Sequence, residues 1–115
     1  MKKLLGAIAL SFAATTALAN EINITIPDDV EVQSDSVLYQ CGEETISATY
    51  YNADEISLVA LEMEDTTIVA ANVISASGAR YAGGPYIWWT KGATADLYNL
   101  IEDPEQENPL SCVEQ

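Results

Sequence analysis

Ser77, Arg80 and Lys91 carry the chemistry this chain can direct at an anion. Arg80 and Lys91 are the only side-chain cations after residue 19, whereas all eighteen Asp and Glu lie downstream of that point. Both sit beside glycine-rich turns, in Ser77-Gly-Ala-Arg-Tyr81 and in Trp88-Trp-Thr-Lys-Gly92. A compact ammonium brings three donors to a carboxylate, and a serine hydroxyl can both donate and accept. Other chemistries are closed. The chain has no histidine, which removes the commonest general base and metal ligand near neutral pH. A Ser77 and Lys91 nucleophile pair lacks the Ser-x-x-Lys context. Carboxylate pairs arise by chance among so many acids, and Asp28-Asp29, Glu43-Glu44 and Glu102-Asp-Pro-Glu105 lack the spacing and sharp-turn glycine of a calcium loop. The expectation is a protein that is not an enzyme and takes no metal or cofactor.

Export explains much of the remaining composition. Met1-Lys-Lys3, the apolar run from Leu4 to Ala14 and the small-residue exit Ala17-Leu-Ala19 read as a signal peptide cleaved after Ala19. The apolar run is too short and too interrupted for a membrane-spanning helix. Asn20, rather than a cysteine, follows the cleavage point, so a soluble periplasmic protein without a membrane anchor is expected. Loss of Lys2 and Lys3 leaves two cations against eighteen acids, a formal charge of −16. Such a field disfavours nucleic acid and anionic membranes and draws in basic partners; the bland alternative, adaptation to a saline habitat, does not exclude a basic partner.

Residues 20–115 suffice for one domain. Cys41 and Cys112 are the only cysteines, and an even pair in an exported chain reads as a disulfide. Period-2 alternation dominates the pattern: Ile22, Ile24 and Ile26 alternate with Asn23 and Thr25, and Ile46, Ala48 and Tyr50 with Thr45, Ser47 and Thr49. Further strand-like runs are Val37–Cys41, Ile56–Met63, Thr66–Ser75, Tyr86–Thr90 and Thr94–Leu100. Residues 93–102 also tolerate a helical turn, and the polar stretch from Glu102 to Ser111 reads as a loop tied down by Cys112. Seven or eight short strands with tight turns point to an all-β fold, a small antiparallel β-barrel with one disulfide. Alternation places Tyr86, Trp88 and Thr90 on one strand face and Ile87, Trp89 and Lys91 on the other. The Trp88-Trp89 pair reads as one core ring and one packed surface ring.

Taken together, Ser77-Gly-Ala-Arg-Tyr81 and, fourteen residues after Ser77, Lys91 within Trp88-Trp-Thr-Lys-Gly92 resemble the bacterial inhibitors of C-type lysozyme, a family with a membrane-bound and a periplasmic branch. Tyr39-Gln-Cys-Gly42, Thr49-Tyr-Tyr-Asn52 and the two cysteines are similar to that family as well. The resemblance covers Val37 to Cys112 and leaves residues 20–36 as a segment outside it, before a barrel domain at 37–115. It implies a barrel that pushes a loop into the lysozyme cleft. Ser77 and Lys91 would then reach the catalytic carboxylates, Gly78, Tyr81 and Gly92 would shape the loops, and Arg80 would lie at the rim. The resemblance implies C-type lysozyme as partner; a homodimer stays open. Two other classes remain: a small-ligand-binding barrel lined by Trp88, Trp89 and tyrosines, and an acidic envelope interaction module.

Overall fold

The computed structural model describes residues 20–115; the leader expected at residues 1–19 lies outside them. Eight strands follow one another: β1 (Gln33–Cys41), β2 (Glu44–Ala53), β3 (Ile56–Glu62), β4 (Thr67–Val73), β5 (Ala79–Gly83), β6 (Tyr86–Lys91), β7 (Thr94–Asn99) and β8 (Leu110–Glu114). Each pairs with its neighbour, and β8 returns to β1, so the sheet closes as an antiparallel barrel in chain order. Closure removes the open edges that would otherwise recruit foreign strands.

The alternation seen in the sequence is the inside and outside of this barrel. Tyr39, Ile46, Ala48, Val59, Leu61 and Trp88 project inward and are buried. Their neighbours Leu38, Tyr51 and Val69 face out and are exposed. The ends of the barrel follow from the meander. Turns at 42–43, 63–66 and 84–85 and the 100–109 loop occupy one end; the entry to β1 and the connections at 54–55, 74–78 and 92–93 occupy the other.

Cys41 and Cys112 form a disulfide, with Cα atoms 4.1 Å apart. The bridge crosses the closing seam, where Tyr39 pairs with Glu114 and Gln40 with Val113. It joins residues 71 apart in sequence, a loop whose closure is worth about 4 kcal/mol in the chain-entropy account.

Four expectations need correction. Ile22, Ile24 and Ile26 do not form a half-buried strand: residues 20–32 lie outside the sheet, with Ile22 86% exposed. The closed barrel has no free edge to pair them, so a sound alternation finds no partner. The first strand begins at Gln33, four residues before Val37. Residues 93–102 contribute strand β7 and then a turn, with no helix, because Ala95 is buried inward at 2% exposure while Asp96 faces out beside Ser111. The stretch from Glu102 to Ser111 is a loop only as far as Pro109, after which β8 completes the barrel. That loop is also built rather than slack. The Asn99 side chain accepts from the backbone amides of Ile101 and Glu102, and the Asp103 carboxylate accepts from those of Glu107 and Asn108 at 3.0 and 2.8 Å. Short polar side chains of this kind substitute for backbone partners in turns.

Candidate functional site

The barrel end carrying the 74–78 loop and the 92–93 turn brings the two cation-bearing motifs together. Gly78 adopts φ +66°, a region costly for any residue with a Cβ. A Cβ there would also strike the Thr90 carbonyl oxygen and lie 2.9 Å from Lys91 Cγ. The first motif is therefore packed directly on the second, and only glycine permits the approach. Ser75 Oγ donates to the Gly78 carbonyl at 3.2 Å and fixes the loop from within.

Three further bonds tie the loops. The Trp89 indole N–H donates to the Ser77 carbonyl at 2.8 Å, Thr90 Oγ1 to the Ala79 carbonyl at 3.4 Å, and Thr94 Oγ1 to the Lys91 carbonyl at 2.9 Å. The turn after Lys91 runs through Gly92 at φ +61°. Ser77 and Lys91 are both exposed, on backbone that is pinned on each side.

The cations converge on one aromatic ring. Lys91 Nζ lies 4.9 Å and Arg80 Cζ 5.6 Å from the centre of Trp89, within the reach of cation–π attraction. The cause is register. Arg80 on β5 is directly opposite Trp89 on β6, and Lys91 follows two residues later on the same outward face.

Behind this surface, on the inward face of β6, Trp88 is fully buried. Its indole N–H donates to the Tyr50 hydroxyl at 2.9 Å, and Tyr50 and Tyr39 share a hydroxyl bond of 2.8 Å. Tyr39 packs edge-on against Trp88 at 5.1 Å, and Tyr50 tilts against Tyr81 at 5.8 Å. Burial pushes the Tyr50 phenol above its ordinary value of 10.0, and burial raises Tyr39 too, against a smaller lowering from its bond to Tyr50. Inside the barrel both phenols are thus held neutral.

Of the residues singled out in the sequence, Ser77, Gly78, Arg80, Lys91 and Gly92 share this end of the molecule, with Arg80 half-buried. Tyr81 turns inward and is only 6% exposed, so it supports the first motif from the core side. Sequence reasoning missed Trp89 as the link between the motifs. Alternation put it on the face of Lys91, but its opposition to Arg80 and its reach to Ser77 depend on a strand, β5, whose glycines read as loop.

The barrel axis is filled by Trp88, Tyr39, Ile46, Leu61 and Val59. A hollow of about 490 Å³ lies instead on the outside, between Ile22, Ile24 and Ile26 and the outer faces of β2, β3 and β4. Tyr39, Tyr50, Tyr81 and Trp88 therefore build a packed core around themselves, leaving Trp89 on the outer face.

Comparison with known proteins decides the family. The pattern described as membrane-bound lysozyme-inhibitor of c-type lysozyme matches residues 39–106. The chain belongs to this family of inhibitors. A membrane-bound lysozyme inhibitor of C-type lysozyme from Pseudomonas aeruginosa is 39% identical over 94 residues, covering 80% of this chain and 74% of that protein. The Escherichia coli protein of the same name is 32% identical over 83 residues, covering 68% and 73%. Among solved structures, Pseudomonas aeruginosa MliC in complex with hen egg white lysozyme is similar with a TM-score of 0.71 at 37% identity, covering 86% of this chain and all of that one. The family inhibits lysozyme and is not a family of enzymes.

Proposed function

We propose that this protein inhibits C-type lysozyme by seating the Ser77 loop and the Lys91 turn in the active-site cleft, against the catalytic carboxyl groups. One observation carries the reading: Gly78 packs on Thr90 and Lys91, so the two motifs form a single protrusion rather than two independent loops. Family membership supplies the target class.

The chemistry follows from the target. A retaining glycosidase holds two carboxyl groups about 5 Å apart on either side of the scissile bond. The Lys91 ammonium donates to the ionised carboxylate, gaining strength as water leaves the cleft. The Ser77 hydroxyl donates to an ionised carboxyl group or accepts from a protonated one, so it suits either member of the pair. Gly78 and Gly92 keep the protrusion narrow, and Arg80 sits at its rim. The acidic remainder of the surface attracts basic lysozymes at long range. The protein acts in the cell envelope, in the periplasm, after its leader is removed, and there protects peptidoglycan.

The test is direct. Residues 20–115, purified and mixed with hen egg white lysozyme, should abolish lysis of bacterial cell walls at one-to-one stoichiometry. Unchanged lysis at tenfold excess of the protein would overturn the assignment.

A further inference from the structure

We propose that Trp89 is the positioning residue of the inhibitory protrusion, orienting Lys91 through its ring and Ser77 through its N–H. The inference rests on the reading of Ser77 and Lys91 as the lysozyme-contacting pair. It goes beyond that reading because Trp89 is assigned a role without being assigned a contact.

Trp89 touches both cations of the site and the backbone of Ser77. Its N–H holds the Ser77 carbonyl at 2.8 Å, and its ring lies 4.9 Å from Lys91 Nζ and 5.6 Å from Arg80 Cζ. These are the only two side-chain cations in residues 20–115. Two like charges gathered at one place repel, and the negative face of an indole offsets that repulsion. An exposed lysine otherwise samples many rotamers, and ordering it on binding costs affinity. A ring that holds the stem and ammonium in the free protein removes part of that cost. The ring itself is fixed, half-buried on a barrel strand and hydrogen-bonded at its far edge, as a positioning group must be.

The experiment uses Trp89→Ala and Trp89→Phe, with Trp89→Leu replacing the alanine variant if that one does not fold. Lys91 is the only lysine after residue 19, so its ε-methylene gives an unambiguous NMR signal. In the parent that signal should be displaced upfield by the indole ring current; in Trp89→Ala it should return to the value of a free lysine. Trp89→Phe should keep part of the displacement while losing the bond to Ser77. Affinity for hen egg white lysozyme should fall about tenfold in Trp89→Ala, with the fold of the barrel intact by thermal unfolding. Lys91→Ala should cost fewer-fold in the Trp89→Ala background than in the parent. An undisplaced Lys91 signal in the parent, or an equal cost of Lys91→Ala in both backgrounds, overturns the proposal. If the parent fails to bind lysozyme, the inhibitory reading falls, and the NMR comparison by itself still upholds or overturns the positioning role.

Discussion

Trp88 and Trp89 are consecutive residues on β6 with opposite employment. Trp88 is fully buried, donates to Tyr50 and packs on Tyr39. Trp89 stands half-buried on the outside, donates to Ser77 and carries two cations on its ring. The pleat that separates them by one residue separates two tasks: the inner face holds the barrel in shape, and the outer face holds Ser77, Arg80 and Lys91 in place. Because the two sets of contacts share a strand but no side chains, they should fail independently.

The strongest way to break the inner half is Trp88→Ala. Removing a fully buried indole should destabilise the protein by about 3–5 kcal/mol, measured by denaturant unfolding. Lysozyme affinity extrapolated to fully folded protein should be unchanged. The matching break of the outer half is Lys91→Ala, expected to weaken lysozyme binding by about 2–5 kcal/mol, chiefly through faster dissociation, with an unfolding midpoint equal to the parent's. A loss of stability in Lys91→Ala comparable to its loss of affinity would dissolve the distinction between the faces.

Tyr50→Phe sharpens the comparison. It leaves the Trp88 N–H and the Tyr39 hydroxyl without their partner, at a cost of about 1–3 kcal/mol. It also carries a pH signature. Burial raises the folded Tyr50 phenol above 10.0, so the native state keeps a proton that the unfolded chain releases. The associated stability is fully present below about pH 10 and is lost as pH rises beyond it. Unfolding midpoints measured from about pH 8 to about pH 11 should fall more steeply for the parent than for Tyr50→Phe.

The smallest effect belongs to Glu43 and Glu44. Glu43 lies in the β1–β2 turn and Glu44 opens β2, both on the barrel end opposite Ser77 and Lys91. Changing both to Gln should slow association with a basic lysozyme only a few-fold and flatten its salt dependence, since screening acts over about 10 Å at 0.1 M salt. Stopped-flow rates across a salt series give the answer, and a change confined to dissociation would contradict steering.

The barrel was legible because inward residues such as Ile46, Ala48 and Tyr50 alternate with outward polar ones, a periodicity that sheet geometry imposes. Strands β5 and β8 escaped notice. In Ala79-Arg-Tyr-Ala-Gly83 the glycine and the flanking turns masked a strand, and Leu110–Glu114 follows two prolines. Ile22, Ile24 and Ile26 misled for the converse reason: alternation reports a face that fits a sheet, not a sheet with room for another strand. The chemistry of the site, one lysine and one serine beside glycines, was visible in residue types and in their likeness to a family. Its assembly was not, because the approach of Gly78 to Lys91 and the reach of Trp89 to Ser77 are set by the register between β5 and β6.

The meander also fixes where the molecule can be held. The entry to β1 emerges at the same end as the Ser77 loop and the Lys91 turn. Any attachment upstream of Asn20 would therefore join the barrel at the end that carries Ser77 and Lys91. The thirteen residues Asn20–Val32 would span at most about 45 Å if fully drawn out. Shortening that span would bring the Ser77 loop and the Lys91 turn closer to such an attachment, a constraint that a copy freed of its leader does not meet.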